Sequence, residues 1–393
     1  MYDPPQPDRR RVYLDNAATS WPKSSAAIEA AIDFTRQCGA TAGRGTYRSG
    51  LLADRWLTDA RTHLSRLLKS DGADSVAICN SGTHALNAAL WGLLRSGQHV
   101  ITTGMDHNSL LRPLKNLETQ LGLQVSIVPS DSQGYVDPAQ AEPLLDDRPT
   151  WLAVGHASNV TGRVQDIDAW SDLAQRHGAR LLVDASQTLG YIPIDLQRTP
   201  IDALAAAGHK GLRALAGTGL LVLRQELRPQ LRPLMHGGTG LASEQLGETQ
   251  PWPQTVEVGN LNLPGVVSLA VAAAEVEQNL DSQRELWQAR LGELVAGLSE
   301  IDGVRLIGWD SATKPEQRIP VLSLQLAGWD CNDLAQVLDS FGIEARAGWH
   351  CAALVHAALG TAQAGGTLRL SPGVSTTAEE IDYVISVFQQ IAG

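Results

Sequence analysis

The chain has 393 residues, 43% hydrophobic and 19% charged, enough to bury a large core, and disorder is not expected. A formal net charge of −11 argues against a nucleic-acid protein, whose affinity rests on neutralised phosphates. Cys38, Cys79, Cys331 and Cys351 show no metal-ligand spacing and no apolar run is long enough for a bilayer, so neither a metal nor a membrane is expected as a partner.

Taken in chain order, residues 1–11 are polar, end in three arginines and lead into no apolar stretch, so a secretory signal is not expected. A cytoplasmic protein with reduced thiols is the simplest reading. From about residue 70, short apolar runs alternate with amphipathic stretches. Strands are predicted at 76–78, 99–102, 125–128, 151–154, 181–183, 203–206 and 219–223, with helices at 84–94, 109–121 and 167–177 among them. Such alternation implies an α/β fold whose mostly parallel sheet is covered on both faces. After Pro264-Gly265 a long helix is predicted at 266–298, leading to a smaller α+β part with strands at 319–325 and 367–371 and helices at 331–341 and 378–391. Asn332-Asp333 is the expected cap of the first of these helices, and Thr376-Thr377 before Glu379-Glu380 that of the second.

Ligands of open α/β sheets gather beyond the carboxyl ends of the strands. Three polar clusters fall there: His156-Ala157-Ser158-Asn159, Asp184-Ala185-Ser186-Gln187 and Gly208-His209-Lys210. A fourth, Asn80-Ser81-Gly82-Thr83, joins a strand to a helix whose first N–H groups suit a phosphate. Lys210 is one of five lysines set against 26 arginines. A tuned lysine can lose its proton and attack a carbonyl, whereas arginine cannot. Alone, Gly-His-Lys favours a surface lysine in a loop. Asp184 ends a buried strand, where a free carboxylate is costly, so it needs a cation. A protonated pyridine nitrogen about 4 Å away would contribute roughly 4 kcal/mol. Taken singly, Asp184 could as well cap the next helix.

Together these positions resemble the class V aminotransferase family of pyridoxal 5′-phosphate (PLP) enzymes, closest to the cysteine desulfurases and selenocysteine lyases. The resemblance is carried by Tyr13-Leu14-Asp15-Asn16-Ala17-Ala18-Thr19, Gly43-Arg44-Gly45, Asp106-His107-Asn108-Ser109 and Ser158-Asn159-Val160-Thr161-Gly162. It continues through the Asp184 and Lys210 clusters, Gly217-Thr218-Gly219, Arg346-Ala347-Gly348-Trp349-His350-Cys351-Ala352 and Arg369-Leu370-Ser371. Each motif is weak, but the ordered set is specific.

The resemblance implies a PLP-dependent transferase of fold type I, a homodimer, with a large domain, a mostly parallel mixed sheet between helices, and a small α+β C-terminal domain. Its implied boundaries are an N-terminal segment at 1–25 packing with the small domain, a PLP-binding domain at 26–265, and a linking helix with the small domain at 266–393. Lys210 would carry the Schiff base, Asp184 would pair with the pyridine nitrogen, Gln187 would bond the ring oxygen and His107 would stack on the ring and move protons. Gly82, Thr83 and His209 would hold the phosphate, Asn159 the ring oxygen or the substrate carboxylate, and Arg369 that carboxylate. Ala207 and Asn260 stand where the family has hydroxyl residues that contact phosphate; Asn260, with Thr239, would complete a partner subunit's site.

Cys351 corresponds to the family's nucleophilic thiol, and Arg346 and His350, as cations on the substrate side, would favour its thiolate. The implied reaction takes L-cysteine to L-alanine, leaves a persulfide on Cys351 and passes the sulfur to a thiol or an acceptor protein. Selenocysteine lyase, another C–S lyase, an aminotransferase with an incidental Cys351, and a non-catalytic partner of a sulfur-transfer assembly remain as alternatives.

Overall fold

The computed structural model describes residues 11–43, 45–238, 250–310 and 314–393. In chain order they form β1 (Val12–Tyr13), α1 (Ser25–Gln37), α2 (Arg48–Leu68), β2 (Val76–Cys79), α3 (Gly82–Leu93), β3 (His99–Thr103), α4 (Asn108–Leu121), β4 (Gln124–Val128), β5 (Thr150–Gly155), α5 (Ile167–Arg176), β6 (Arg180–Asp184), β7 (Ala203–Ala207) and β8 (Gly219–Leu223). There follow α6 (Leu263–Ser299), β9 (Val304–Ile307), β10 (Leu322–Leu326), α7 (Cys331–Ser340), β11 (Ile343–Glu344), β12 (Arg346–Gly348), α8 (Ala353–Ala358), β13 (Thr367–Leu370) and α9 (Ala378–Ala392).

The strand order β2-β8-β7-β6-β5-β3-β4 gives a seven-stranded sheet, parallel except for β8, which runs antiparallel to both neighbours. The fold is thus α/β with a mostly parallel mixed sheet between helices, as the sequence pattern implies. Strands β2, β3, β7 and β8 are buried along their whole length, which is why they read as unbroken apolar runs. That pattern begins near residue 70 and misses α1 and α2. Their buried faces mix Phe34, Leu64 and Leu68 with the small side chains of Ala27, Ala31, Ala53 and Ala60, which dilute the apolar stripe.

Helix α6 belongs to two cores. Its first half, including Val266, Val267 and Val276, packs with α1 and α2 on the large sheet. Its second half, with Trp287, Leu291, Leu294 and Leu298, joins β10, β13 and α9 in a second core. Val12 and Leu14 enter that second core because β1 pairs in parallel with β11. The sheet there runs β12-β13-β10-β9, all antiparallel.

Two local expectations need correction. The strand predicted at 319–325 starts only at Leu322, because Pro320 has no N–H to give a ladder. Helix α7 is capped by Asp330, whose carboxylate accepts from the Asn332 N–H at 2.7 Å, so Asn332 and Asp333 lie inside the first turn. Helix α9 is capped by Thr377, in a reciprocal capping box with Glu380. No helix among the described residues is long and apolar enough to cross a membrane.

Candidate active site

A cavity of about 210 Å³ opens beyond the carboxyl ends of β5, β6 and β7. Its wall contains Gly82, Thr83, His107, Asn159, Asp184, Gln187, His209, Lys210, Arg346, His350, Cys351 and Arg369. Of the described residues to which the resemblance gives a cofactor, substrate or catalytic role, only Asn260 is missing. Asn260 lines a separate cavity of about 340 Å³ with Arg61, Glu257 and Gly43. Thr239 and Arg44 lie outside the described residues.

The floor is built from strand ends. Asp184, the last residue of β6, is buried, and its Oδ1 accepts from the Ser186 N–H at 2.9 Å. Gln187 lies in the turn that follows; its Nε2 donates to the Ala17 carbonyl at 3.1 Å, and its buried Oε1 has no partner among the described residues. Lys210 follows β7. Burial pushes its amine down to about 8, against the opposing pull of Asp184. At that value about a tenth of the amine is free base at pH 7, far more than for an ordinary lysine, and that is the form that attacks a carbonyl or removes a proton.

Helix N-termini form one wall. Ser81 caps α3, its hydroxyl accepting from the His84 N–H at 3.1 Å. A Cβ at Gly82 would stand 2.6 Å from Ser186 Oγ, so a larger residue there would force that hydroxyl to shift. The Thr83 and Ser109 hydroxyls meet at 2.8 Å. His107 caps α4 and its Nδ1 accepts from the Ser109 N–H at 3.0 Å, so the proton of the neutral ring sits on Nε2. Burial and the nearby Lys210 push the ring down to about 4. Asp106 fixes this corner: its carboxylate accepts from Thr102 Oγ1 (2.7 Å), the Thr103 N–H (2.7 Å), Thr103 Oγ1 (2.9 Å) and the Gly155 N–H (2.5 Å), tying β3 to β5. His209, held by Thr19 Oγ1 at 3.1 Å, is likewise pushed down to about 4, chiefly by burial.

The roof comes from the second core. Arg369 on β13 is 1% exposed. It donates to Asp15 Oδ1 at 2.6 Å and to the Asn159 carbonyl at 3.1 Å, and its Nε has no partner among the described residues. Asn159 Nδ2 donates to the His350 carbonyl at 2.6 Å, while its Oδ1 is buried without a partner among the described residues. His350 and Cys351 both adopt left-handed backbone, φ 47° and 58°, in the turn after β12. The turn is fixed by Asn159, by the Asn108 N–H donating to the Cys351 carbonyl at 2.9 Å, and by His350 Nε2 donating to the Thr367 carbonyl at 3.1 Å. Cys351 is exposed at the cavity mouth beside Trp349, which is 46% exposed.

One expectation is corrected here. His350 cannot assist a thiolate as a cation, because burial and the neighbouring Arg369 push its ring down to about 2. Arg346 remains as a cation that shares the wall with Cys351, together with Lys210 and Arg369. Sequence reasoning also missed Ser109, Ser186, Asp15 and Thr367. Ser109 and Asp15 lie inside motifs noticed for their neighbours, whereas Thr367 is joined to the site only by the fold.

Comparison with known proteins agrees with this architecture. The model of the family described as aminotransferase class-V matches residues 12–384. A probable cysteine desulfurase of Methanothermobacter thermautotrophicus is 32% identical over 98% of this chain and 96% of its own. A cysteine desulfurase of Escherichia coli is 28% identical over 96% and 93%. The apo structure of a cysteine desulfurase from Thermococcus onnurineus superposes with a TM-score of 0.90 at 26% identity, covering 97% of this chain and 94% of that one. The Escherichia coli cysteine desulfurase CsdA gives 0.86 at 26% identity, over 97% and 95%. With that match running almost from end to end, the chain belongs to the class-V aminotransferase family.

Proposed function

We propose that this chain is a PLP-dependent cysteine desulfurase, converting L-cysteine to L-alanine and taking the sulfur as a persulfide on Cys351. The observation that carries the reading is the convergence of Lys210, Asp184 and an exposed Cys351 on one cavity. The names of the relatives support the same activity.

The cavity suits PLP. Gln187 Oε1, Asn159 Oδ1 and Arg369 Nε are buried there without partners among the described residues, which calls for a polar occupant. The glycine at 82 leaves the start of α3 open to an anionic group. Asp184 would pair with the pyridine nitrogen, the second N–H of Gln187 Nε2 would meet the ring oxygen, and His107 would lie against the ring. Gly82, Thr83 and His209 would hold the phosphate, and Lys210 would carry the covalent link. When bound, the cofactor supplies an electron sink for the amino acid's Cα carbanion.

The chain's own groups do the rest. Arg369 and Asn159 orient the substrate carboxylate, so that the Cα–H faces Lys210. The free amine of Lys210 takes that proton at Nζ. The Cys351 sulfur then bonds to the substrate sulfur as the carbon–sulfur bond breaks. A thiol and L-cysteine thereby become a persulfide and L-alanine, with no external oxidant or reductant. His107, neutral with its proton on Nε2, can donate within the site and be recharged. A sulfur acceptor, a homodimer, a cytoplasmic setting and the division at 26–265 and 266–393 belong to the same reading.

The test is release of alanine and sulfide from L-cysteine, selenocysteine and cystine, with and without a reductant. Cys351→Ala should keep the PLP absorbance but lose alanine formation from cysteine. Undiminished alanine release by that variant would overturn the nucleophile assignment.

A further inference from the structure

Lys23, which none of the roles above includes, points its ammonium at the loop that carries Lys210. The carbonyl of His209, the oxygen of the peptide that leads into Lys210, accepts from four donors. They are the Ser20 N–H (3.0 Å), Ser20 Oγ (3.1 Å), Thr19 Oγ1 (3.2 Å) and Lys23 Nζ, the shortest at 2.6 Å. A carbonyl has two lone pairs, so this oxygen is oversupplied, and the charge-assisted bond is the strong one. Lys23 Nζ also donates to Thr19 Oγ1 at 2.9 Å and Ser20 Oγ at 3.1 Å, which accounts for its three protons.

The far side of Lys210 is held by the same stretch of chain. The Lys210 carbonyl accepts from the Arg213 N–H at 2.8 Å, and the Arg213 carbonyl accepts from the Ser24 N–H at 3.3 Å. Residues 15–24 thus act as a strap. Asp15 holds Arg369, the Ala17 carbonyl holds Gln187, and Lys23 with its neighbours holds the peptide before Lys210. Burial and Arg213 push the Lys23 amine down to about 8, so the ammonium is held there at a net cost and is still the main form near neutral pH.

We propose that Lys23 is a positioning residue for Lys210, its ammonium fixing the His209–Lys210 peptide and so the direction from which the Lys210 amine reaches its reaction partner. The inference rests on the reading of Lys210 given above. Its first test is the rate at which the PLP-free protein captures PLP covalently, followed by absorbance. The second is exchange of the Cα hydrogen of L-alanine in D2O by the PLP-loaded protein, followed by proton NMR.

Lys23→Met should slow both roughly tenfold to a hundredfold, the scale of a misplaced reacting group, while half-saturating alanine stays within about twofold. Lys23→Arg, which keeps the charge, should restore most of the loss. Lys23→Gln, with two N–H donors and no charge, replaces the Met variant if that one fails to fold. Wild-type rates in Lys23→Met or Lys23→Gln, or an equal loss in Lys23→Arg, would overturn the proposal. Lys210→Arg separates the two readings. Exchange persisting in that variant would sink the role of Lys210 itself, whereas a silent Lys210→Arg beside a wild-type Lys23→Met would sink the Lys23 role alone.

Discussion

Lys210 is governed by where its amine sits on the pH scale. The ordinary lysine value of 10.5 falls to about 8 here because the cavity wall desolvates the ammonium more than Asp184 stabilises it. Only the free base attacks an aldehyde, so covalent capture of PLP by the PLP-free protein should rise about tenfold per pH unit up to about 8 and level off above it. Stopped-flow absorbance measures this directly; a rate still climbing through the ordinary lysine range would show that the amine is not tuned. Lys210 and Asp184 were legible in the sequence because each closes an apolar strand with a polar cluster. Lys23 and Thr367 were not, since their partners lie 186 and 17 residues away. His350 was noticed but misread as a source of charge, because burial is a property of the folded chain.

At the scale of elements, the site depends on how strand ends are tied together. Asp106 holds β3 to β5 through four hydrogen bonds, and the next residue, His107, starts α4. Asp106→Ala would strand two backbone N–H groups and two hydroxyls in a buried corner. It should cost about 3 kcal/mol of stability and lower PLP affinity, because His107 loses its footing. A urea titration monitored by tryptophan fluorescence, with the PLP-loaded protein alongside, would detect both effects. An unchanged midpoint would mean that the corner relaxes around water. The seven strands of the main sheet were legible to within a residue or so because their apolar runs are continuous. The short strands β1, β9, β11 and β12 were not, having two to four residues each and no periodicity to detect. The N-terminal motif could be recognised, but not the parallel pairing of β1 with β11 that carries it to Arg369.

For the molecule as a whole, Asn260 is the informative outlier. It faces a cavity apart from that of Lys210, so a contact between Asn260 and a phosphate would be made to a second copy of the chain. Tyr47, Leu51 and Leu52, 58%, 57% and 39% exposed, lie a few residues beyond Gly43 of that same cavity and suit burial by such a copy. Light scattering should therefore report a mass near twice the 42.0 kDa of one chain. Leu51→Glu should weaken that association and PLP retention together; a monomeric wild type that holds PLP normally would refute the shared site. Neither the exposure of these side chains nor the separation of the two cavities is visible in the sequence.

The length of α6 carries a mechanical consequence. A helix of 37 residues is a rod of about 55 Å, and here one end is rooted in the large sheet while the other anchors the second core. A sharp kink in the middle of such a rod would break backbone hydrogen bonds, so the helix couples the two cores it joins. Admission of a molecule to the space between them then falls to the short pieces that border it: the left-handed turn at His350 and Cys351, and the chain entering from β1.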